Sequence, residues 1–168
     1  MFLVSGPDLV LAACRAGVIG SFPAPNARTP EILDEWLTRL TAELAADRVA
    51  NRSARIAPYA ANLVVHRSYK RRDADLEVVV RHQAPIVITA LGSPRDVVEA
   101  VHGYGGLVLA DVNSVKFARK AAEAGVDGLI LVAAGAGGHT GQMTGFAFVE
   151  AVREFWDGYL VLAGGIST

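Results

Sequence analysis

Short aliphatic runs alternate with longer helical patterns along almost the whole chain. This alternation is typical of repeated βα units, which build a parallel sheet covered by helices. Six complete strands are predicted, at residues 18–22, 59–65, 85–89, 107–110, 128–132 and 159–162. Helices are predicted at about 9–16, 30–47, 94–102, 114–124 and 144–156, with another that ends near residue 82. The apolar residues 1–4 are predicted as the end of a further strand.

Four of the helices have a predicted N-cap. Thr29 precedes Pro30, and proline suits the first position of a helix. Ser5 and Ser93 each have an acidic residue three positions later, as in a capping box. Asn113 is the predicted cap of the helix that follows the strand 107–110.

Glycine-rich turns follow the last two predicted strands, at residues 135–141 and at Gly164 and Gly165. A doubly wound sheet normally carries such a phosphate-binding turn after its first strand. Phosphate sites made from late βα loops are instead typical of (β/α)8 barrels. The sequence therefore predicts one α/β domain over residues 1–168, with a TIM-barrel (β/α)8-type parallel fold.

The chain is shorter than a complete barrel of this type. It has 168 residues, whereas a TIM barrel usually needs about 250. It opens at the predicted end of a strand, and it closes after a strand and its Gly-Gly turn with no helix to cover that strand. The predicted barrel is therefore incomplete, with most of its first strand and its last units missing.

A histidine stands in the middle of the first glycine-rich loop. His139 lies between Gly138 and Gly141, after the apolar strand 128–132. Several glycines in one loop allow the backbone to approach a ligand closely. Histidine exchanges a proton near neutral pH, which suits a general acid or base. We therefore predict that this loop holds an anionic cofactor and that His139 is the acid–base group beside it.

The glycine loops and the segments around them resemble nitronate monooxygenases, formerly called 2-nitropropane dioxygenases. The resemblance rests on AGGHTG at 136–141 and on AGGI at 163–166, one helix and one strand later. Further matching pieces are the apolar strand 128–132, ANL at 61–63, TALG at 89–92 and the segment 118–128. These pieces span essentially the whole chain. Because the chain is shorter than a complete barrel, the sequence resembles a truncated member of this family.

The resemblance implies an FMN-containing TIM barrel that oxidises alkyl nitronates or nitroalkanes with O2 to carbonyl compounds and nitrite. It implies that His139 is the catalytic histidine, which removes an α-proton from a neutral nitroalkane or hydrogen-bonds the nitronate oxygens. It also implies a phosphate cradle from two neighbouring loops, a polar amide against the flavin ring, and a methionine backbone beside the ring. The implied cofactor-binding residues are Met1, Asn62, Gly137, Gly138, Gly164 and Gly165.

Other polar residues have assignments that rest on their position alone. Asp111 just follows a predicted strand, where it would contact cofactor or substrate, cap a helix or form a loop ion pair. Candidate pocket residues at the same rim are Ser21, His66 and Thr89. Residues predicted to be structural are His82 and His102 at helix C-termini and Cys14 in the core.

The composition argues against several other classes of function. The net charge is −1 and 20% of the residues are charged, so no nucleic acid or membrane partner is predicted. The single cysteine cannot form an internal disulfide, and no cluster of ligand residues has metal-binding spacing. No targeting or membrane-spanning segment is recognisable, which predicts a cytoplasmic protein. An open barrel would expose apolar surface and sheet edges, which predicts self-association or poor solubility.

Two alternative functions stay open at this point. A related FMN barrel that reduces enoyl thioesters would share the glycine loops and the histidine, but it would need a nicotinamide. A truncated, non-catalytic remnant of such a barrel would also keep these motifs. A nitronate oxidase would consume O2 and release nitrite without NAD(P)H, which distinguishes it from the enoyl thioester reductase.

Overall fold

The computed structural model describes residues 2–166, which form one curled parallel sheet with helices packed on it. The strands are β1 (Gly20–Pro23), β2 (Tyr59–Val64), β3 (Ile86–Ala90), β4 (Leu107–Val112), β5 (Gly128–Val132) and β6 (Tyr159–Ala163). The helices are α1 (Pro7–Arg15), α2 (Pro30–Ala50), α3 (Arg72–Arg81), α4 (Arg95–His102), α5 (Val115–Glu123) and α6 (Gly145–Arg153). A 3₁₀ turn (Ala24–Asn26) follows β1.

The strands follow one another across the sheet in chain order. Each pairs in parallel with the next, so that Asn62 of β2 lies beside Ile88 of β3, and Asp111 of β4 beside Ile130 of β5. A doubly wound sheet reverses its strand order part-way, whereas a barrel adds its strands in sequence. The predicted incomplete barrel is therefore confirmed, and its six described strands form a half-barrel.

The main core lies between the helices and the convex face of the sheet. Helix α2 contributes a fully buried leucine stripe to it, made of Leu33, Leu37, Leu40 and Leu44. Trp36 of the same helix is only partly buried and packs edge-on against Phe22, with 5.5 Å between ring centroids. Each fully buried side chain of this size contributes about 1.5–3 kcal/mol, so the stripe holds the longest helix against the sheet.

Alternate strand residues lie on the concave face, which corresponds to the interior of a closed barrel. On β2, Ala61 and Leu63 join the core, whereas Asn62 and Val64 lie on the concave side. Exposed apolar residues of the strands are Leu107 in β4 and Tyr159 and Val161 in β6. β1 and β6 are the edges of the described sheet, and self-association through such surfaces stays a prediction.

The predicted caps of α1 and α2 have different outcomes. Thr29 caps α2 as predicted, because its hydroxyl accepts a hydrogen bond from Ile32 N at 3.3 Å. The prediction of Ser5 as the cap of α1 is wrong, since the N-cap is Gly6. The reason is that Pro7, whose ring fixes φ at a helical value, takes the first helical position.

The other two predicted caps are each displaced by one residue. Pro94 stands at the N-cap of α4 in place of Ser93, and its own φ and ψ are already helical. Ser114 caps α5 in place of Asn113, with its hydroxyl accepting from Phe117 N at 3.4 Å. β4 continues to Val112, beyond its predicted end, and this delays the start of α5.

The predicted strand end at residues 1–4 is wrong for the residues that the structure describes there. Residues 2–4 form a turn, and Leu3 has a φ of +66°, which no β-strand accommodates. Leu3 N donates to Asn26 Oδ1 at 3.0 Å, which connects this turn to the 3₁₀ turn after β1. Met1 lies outside the described residues.

A buried carboxylate fixes the connection between β2 and α3. Asp75 has no exposed side-chain surface and accepts hydrogen bonds from Tyr69 Oη at 2.7 Å and from Arg71 Nη2 at 2.8 Å. Arg71 Nη1 also donates to Ala27 O at 2.8 Å, so the same ion pair reaches the loop after β1. The cluster therefore ties together two loops at the carboxyl ends of neighbouring strands.

Replacing Asp75 by asparagine is expected to lower the free energy of unfolding by about 1–3 kcal/mol, because the amide leaves donors of Arg71 and Tyr69 without an acceptor. Urea unfolding followed by circular dichroism measures this loss. Asp73→Asn is the matched control, since Asp73 is exposed and its ion pair with Arg72 is at the surface. Equal midpoints for the two variants would contradict the structural role of Asp75.

Candidate active site at the carboxyl ends of the strands

The loop between β5 and α6 is fastened at its base and free at its tip. Ala134 N donates to Met143 O, and Thr140 Oγ1 donates to Ala133 O, both at 2.9 Å. Ala133 N donates in turn to Ala163 O at the end of β6. These bonds close the base of the loop, and residues 137–139 extend beyond it with exposed side chains and backbone.

The second glycine turn lies directly against this loop. A Cβ on Gly164 would stand 2.5 Å from Ala136 N, and a Cβ on Gly135 would stand 2.9 Å from the carbonyl of Gly164. Gly164 and Gly165 also have positive φ, at +119° and +65°. Glycine is therefore required here both for the backbone conformation and for the close approach. The structure brings the two predicted glycine turns together.

Gly137 and Gly138 differ from these glycines. A Cβ on either residue would meet no atom within 4 Å among those described, and neither residue has a positive φ. The fold of the described residues therefore does not require glycine at these two positions. The open space in front of them is where a ligand can approach the backbone.

The N-terminus of α6, which is the positive end of the helix dipole, lies in the same region. Its N-cap Thr144 makes no side-chain capping bond, and its first turn carries no acidic residue. Gly145 lies close to β6, since a Cβ there would stand 2.8 Å from Leu162 Cδ2. Free N–H groups and the helix dipole favour an anion at such a terminus. The region therefore fits a phosphate by its charge.

His139 lies at the exposed tip of the loop, beside Gly137 and Gly138. No hydrogen bond or ion pair joins its ring to any of residues 2–166. Both ring nitrogens are consequently available to a ligand or substrate. The side chain can donate from one nitrogen and accept at the other when it is neutral.

Asn62 and Asp111 meet on the concave face of the sheet. Asn62 Nδ2 donates to Asp111 Oδ2 at 3.4 Å, across the intervening strand β3. The prediction that Asp111 just follows a strand is wrong, because β4 continues to Val112 and includes it. This pairing was not predicted, although a second polar residue inside an aliphatic run was a visible signal.

Asp111 has an unusual environment for a carboxyl group. Burial raises its pKa from the ordinary 3.8 to about 6, and the hydrogen bond from Asn62 opposes this rise only in part. The folded protein thus binds this proton more tightly than the unfolded chain does. Asp111 therefore contributes most to stability below about pH 4, and that contribution is lost as the pH rises through about 6.

The other predicted rim residues do not join this group. Thr89 is wrong as a pocket residue, because it is buried on the helix side of β3 and its hydroxyl donates to Leu109 O. His66 follows β2, is exposed, and pairs locally with Ser68 Oγ at 2.7 Å. Ser21 lies exposed within β1 rather than after it.

The residues predicted to be structural lie away from the candidate site. His82 and His102 stand at helix C-termini and pair with Asp34 and Asp127, at 2.8 and 2.9 Å. Cys14 is buried in the core. Two surface depressions, lined from α2 and α3 and from α5 and the end of α6, are also on the helical side. The candidate site is therefore confined to the loop tips and the concave face.

Two further observations concern the described residues as a whole. Within residues 2–166, no three histidine, cysteine, aspartate or glutamate side chains are grouped so that they could hold a metal ion. None of the helices described is both long and apolar enough to cross a membrane.

Comparisons with known proteins show what this chain is similar to. The family model described as nitronate monooxygenase matches residues 34–168. Rv1533 of Mycobacterium tuberculosis, whose name describes it as a monooxygenase, is 32% identical over 168 residues. A 5-hydroxy-7a-methyl-1-oxo-octahydro-1H-indene-4-carboxyl-CoA dehydrogenase of Rhodococcus jostii is 25% identical over 162 residues. These matches cover 95% and 96% of this chain but only 43% and 42% of the two relatives, so the chain spans less than half their length.

The solved structures that resemble this chain are also about twice as long as the part it matches. A FabK variant from Thermotoga maritima superposes with a TM-score of 0.82 at 25% identity, over 99% of this chain and 51% of that one. A nitroalkane oxidase from Streptomyces ansochromogenes superposes with a TM-score of 0.79 at 24% identity, over 97% of this chain and 56% of that one. At 24% identity, the similarity to the nitroalkane oxidase shows only that the two folds are alike.

Proposed function

The chain belongs to the nitronate monooxygenase family of oxidoreductases, and we propose that it provides the phosphate cradle and the acid–base residue of an FMN-dependent active site. The proposed reaction is the oxidation of alkyl nitronates or nitroalkanes by O2 to carbonyl compounds and nitrite. The substrates are then small molecules. The family match and the geometry at the carboxyl ends of the strands support this proposal.

The observation that carries the proposal is the contact between the two glycine turns beside an unpaired histidine. Gly135 and Gly164 pack backbone to backbone, while Gly137 and Gly138 face open space. The FMN phosphate carries about two negative charges, and backbone N–H groups at a helix N-terminus suit it. The uncapped start of α6 supplies such groups. The residues present therefore fit the phosphate end of FMN.

Each residue of the site then has a distinct task. FMN, when bound, supplies the electron acceptor for the oxidation. Gly137, Gly138, Gly164 and Gly165 hold its phosphate through backbone contacts. His139 accepts the proton from the carbon beside the nitro group, or donates a hydrogen bond to the nitronate oxygens once that proton is gone. Asn62 presents its amide to the ring from the concave face.

A thioester substrate is the second candidate, supported by the carboxyl-CoA dehydrogenase among the relatives. A reductase or dehydrogenase acting on a thioester would exchange electrons with a nicotinamide. The nitronate reaction needs only O2 and forms nitrite. Assays of O2 uptake and nitrite release in the absence of NAD(P)H therefore separate the two candidates.

The purified chain is expected to take up FMN with a one-to-one stoichiometry. Absorbance of the bound, oxidised flavin after gel filtration measures this uptake, and quenching of free-flavin fluorescence gives the dissociation constant. The expected affinity is weaker than that of a complete barrel, because the chain spans less than half the length of the relatives it matches. A colourless protein that takes up no added FMN would contradict the proposal for this chain.

A further inference from the structure

Asn62 and Asp111 are the two polar side chains on the concave face of strands β2 to β5. Their neighbours on that face are aliphatic, as at Val64, Ile88 and Leu109. A polar group in such a surface is costly unless it is hydrogen-bonded. One bond of 3.4 Å between them leaves most of their hydrogen-bonding capacity unused. The pair is therefore suited to a polar partner that binds on this face.

The carboxylate determines which way the Asn62 amide is turned. An ionised carboxylate only accepts hydrogen bonds, so the NH2 side of the amide must lie toward Asp111. Asn62 Oδ1 then lies on the other side of the amide, where it accepts no hydrogen bond from residues 2–166. With Asp111 ionised, Asn62 presents an acceptor to any group bound on the concave face.

We propose that Asp111 is a positioning residue that holds the Asn62 amide toward the bound flavin, and that its charge tunes the flavin's reduction potential. This inference rests on the proposed function, because it requires a flavin on the concave face. It assigns a role to Asp111, which lies on β4, two strands away from Asn62 on β2. Asp111 acts on the ring through Asn62 and through its own negative charge.

Among residues 2–166, no charged side chain contributes to the electrostatic environment of Asp111. The residues paired with it on β5 and with Asn62 on β3 are Ile130 and Ile88. The causes of its raised pKa are burial and the Asn62 hydrogen bond, with no charged neighbour among them. With a pKa of about 6, the carboxyl is expected to be mostly ionised at pH 8 and mostly protonated at pH 5. A negative charge close to the flavin opposes the arrival of electrons, and protonation removes that opposition.

The test compares the FMN-loaded wild type with Asp111→Asn and with Asp157→Asn. Asn has nearly the shape of Asp but carries no charge. Asp157 is an exposed carboxyl that precedes β6, at the opposite ends of the strands, so its replacement makes the same chemical change away from the site. The readouts are the absorbance and the reduction potential of bound FMN between pH 5 and 8. Asp111→Ser supplies a second neutral variant if the asparagine protein does not fold.

Wild type and Asp157→Asn should show a shift of the flavin spectrum with a midpoint near pH 6. Asp111→Asn should lose that transition and show a higher potential at pH 8, with FMN still bound. Bound FMN with the same pH profile and potential in all three proteins would overturn the role of Asp111 while leaving the proposed function intact. A wild type that binds no FMN would overturn both.

Discussion

Replacement of His139 by alanine is expected to lower kcat/KM for a neutral nitroalkane by about 10²–10⁴-fold, the usual contribution of a general base. Its ring is exposed at the loop tip and has no partner within residues 2–166. The folded chain therefore does not depend on the imidazole, and FMN content and stability should be unchanged. Nitrite release and O2 uptake by the FMN-loaded protein measure the loss.

The choice of substrate provides a control for this result. A nitronate prepared in advance at high pH has already lost its α-proton, so it needs no base. His139→Ala should therefore reduce turnover of the nitroalkane far more than turnover of its nitronate. An equal loss with both substrates would assign His139 to binding rather than to proton removal. Unchanged turnover with the nitroalkane would rule out its role as the base.

The sequence was most informative where local patterns alone determine the structure. The run 128–132 has a continuous aliphatic pattern, and β5 occupies those same residues. The order of helices and strands and the late glycine turns were enough to favour the barrel over a doubly wound sheet. Chain order of the strands then follows, because a barrel adds one βα unit after another.

Prediction failed where both faces of a strand are apolar. Parallel strands covered on both sides show no polar alternation, so the sequence does not reveal which residues face the helices. Thr89 was consequently assigned to the pocket, although it faces the helices, and Asp111 was taken for a loop residue. Aspartate is uncommon inside strands, but here Asn62 of β2 partly satisfies it with a hydrogen bond. That contact joins residues 49 positions apart, so the local pattern around either residue does not identify its partner.

The glycines of the two turns illustrate the same limit within the candidate site. Their number predicted a close approach of the backbone to something, but not which glycines serve the fold. Gly135 and Gly164 contact each other, while Gly137 and Gly138 contact nothing within 4 Å of an added Cβ. Only the tertiary contact between the loops separates the two sets. Alanine variants of Gly164 and Gly137 therefore form a matched pair, one in each set.

Gly164→Ala is expected to destabilise the protein, whereas Gly137→Ala is not. At Gly164 a φ of +119° and a Cβ 2.5 Å from Ala136 N combine backbone strain with overlap, each costing about 1–3 kcal/mol. At Gly137 alanine is compatible with the backbone and meets only open space, so stability should change by less than about 0.5 kcal/mol. Urea unfolding of the protein without FMN measures both changes.

FMN binding should separate the same two variants in a different way. Gly164→Ala relieves its overlap by forcing the two turns apart, and every 1.4 kcal/mol lost from the cradle weakens FMN binding about tenfold. Gly137→Ala should weaken FMN binding with no loss of stability, since the new methyl group occupies the space in front of the loop. FMN affinity equal to wild type in Gly137→Ala would mean that the phosphate does not approach that residue. The cradle would then exclude Gly137.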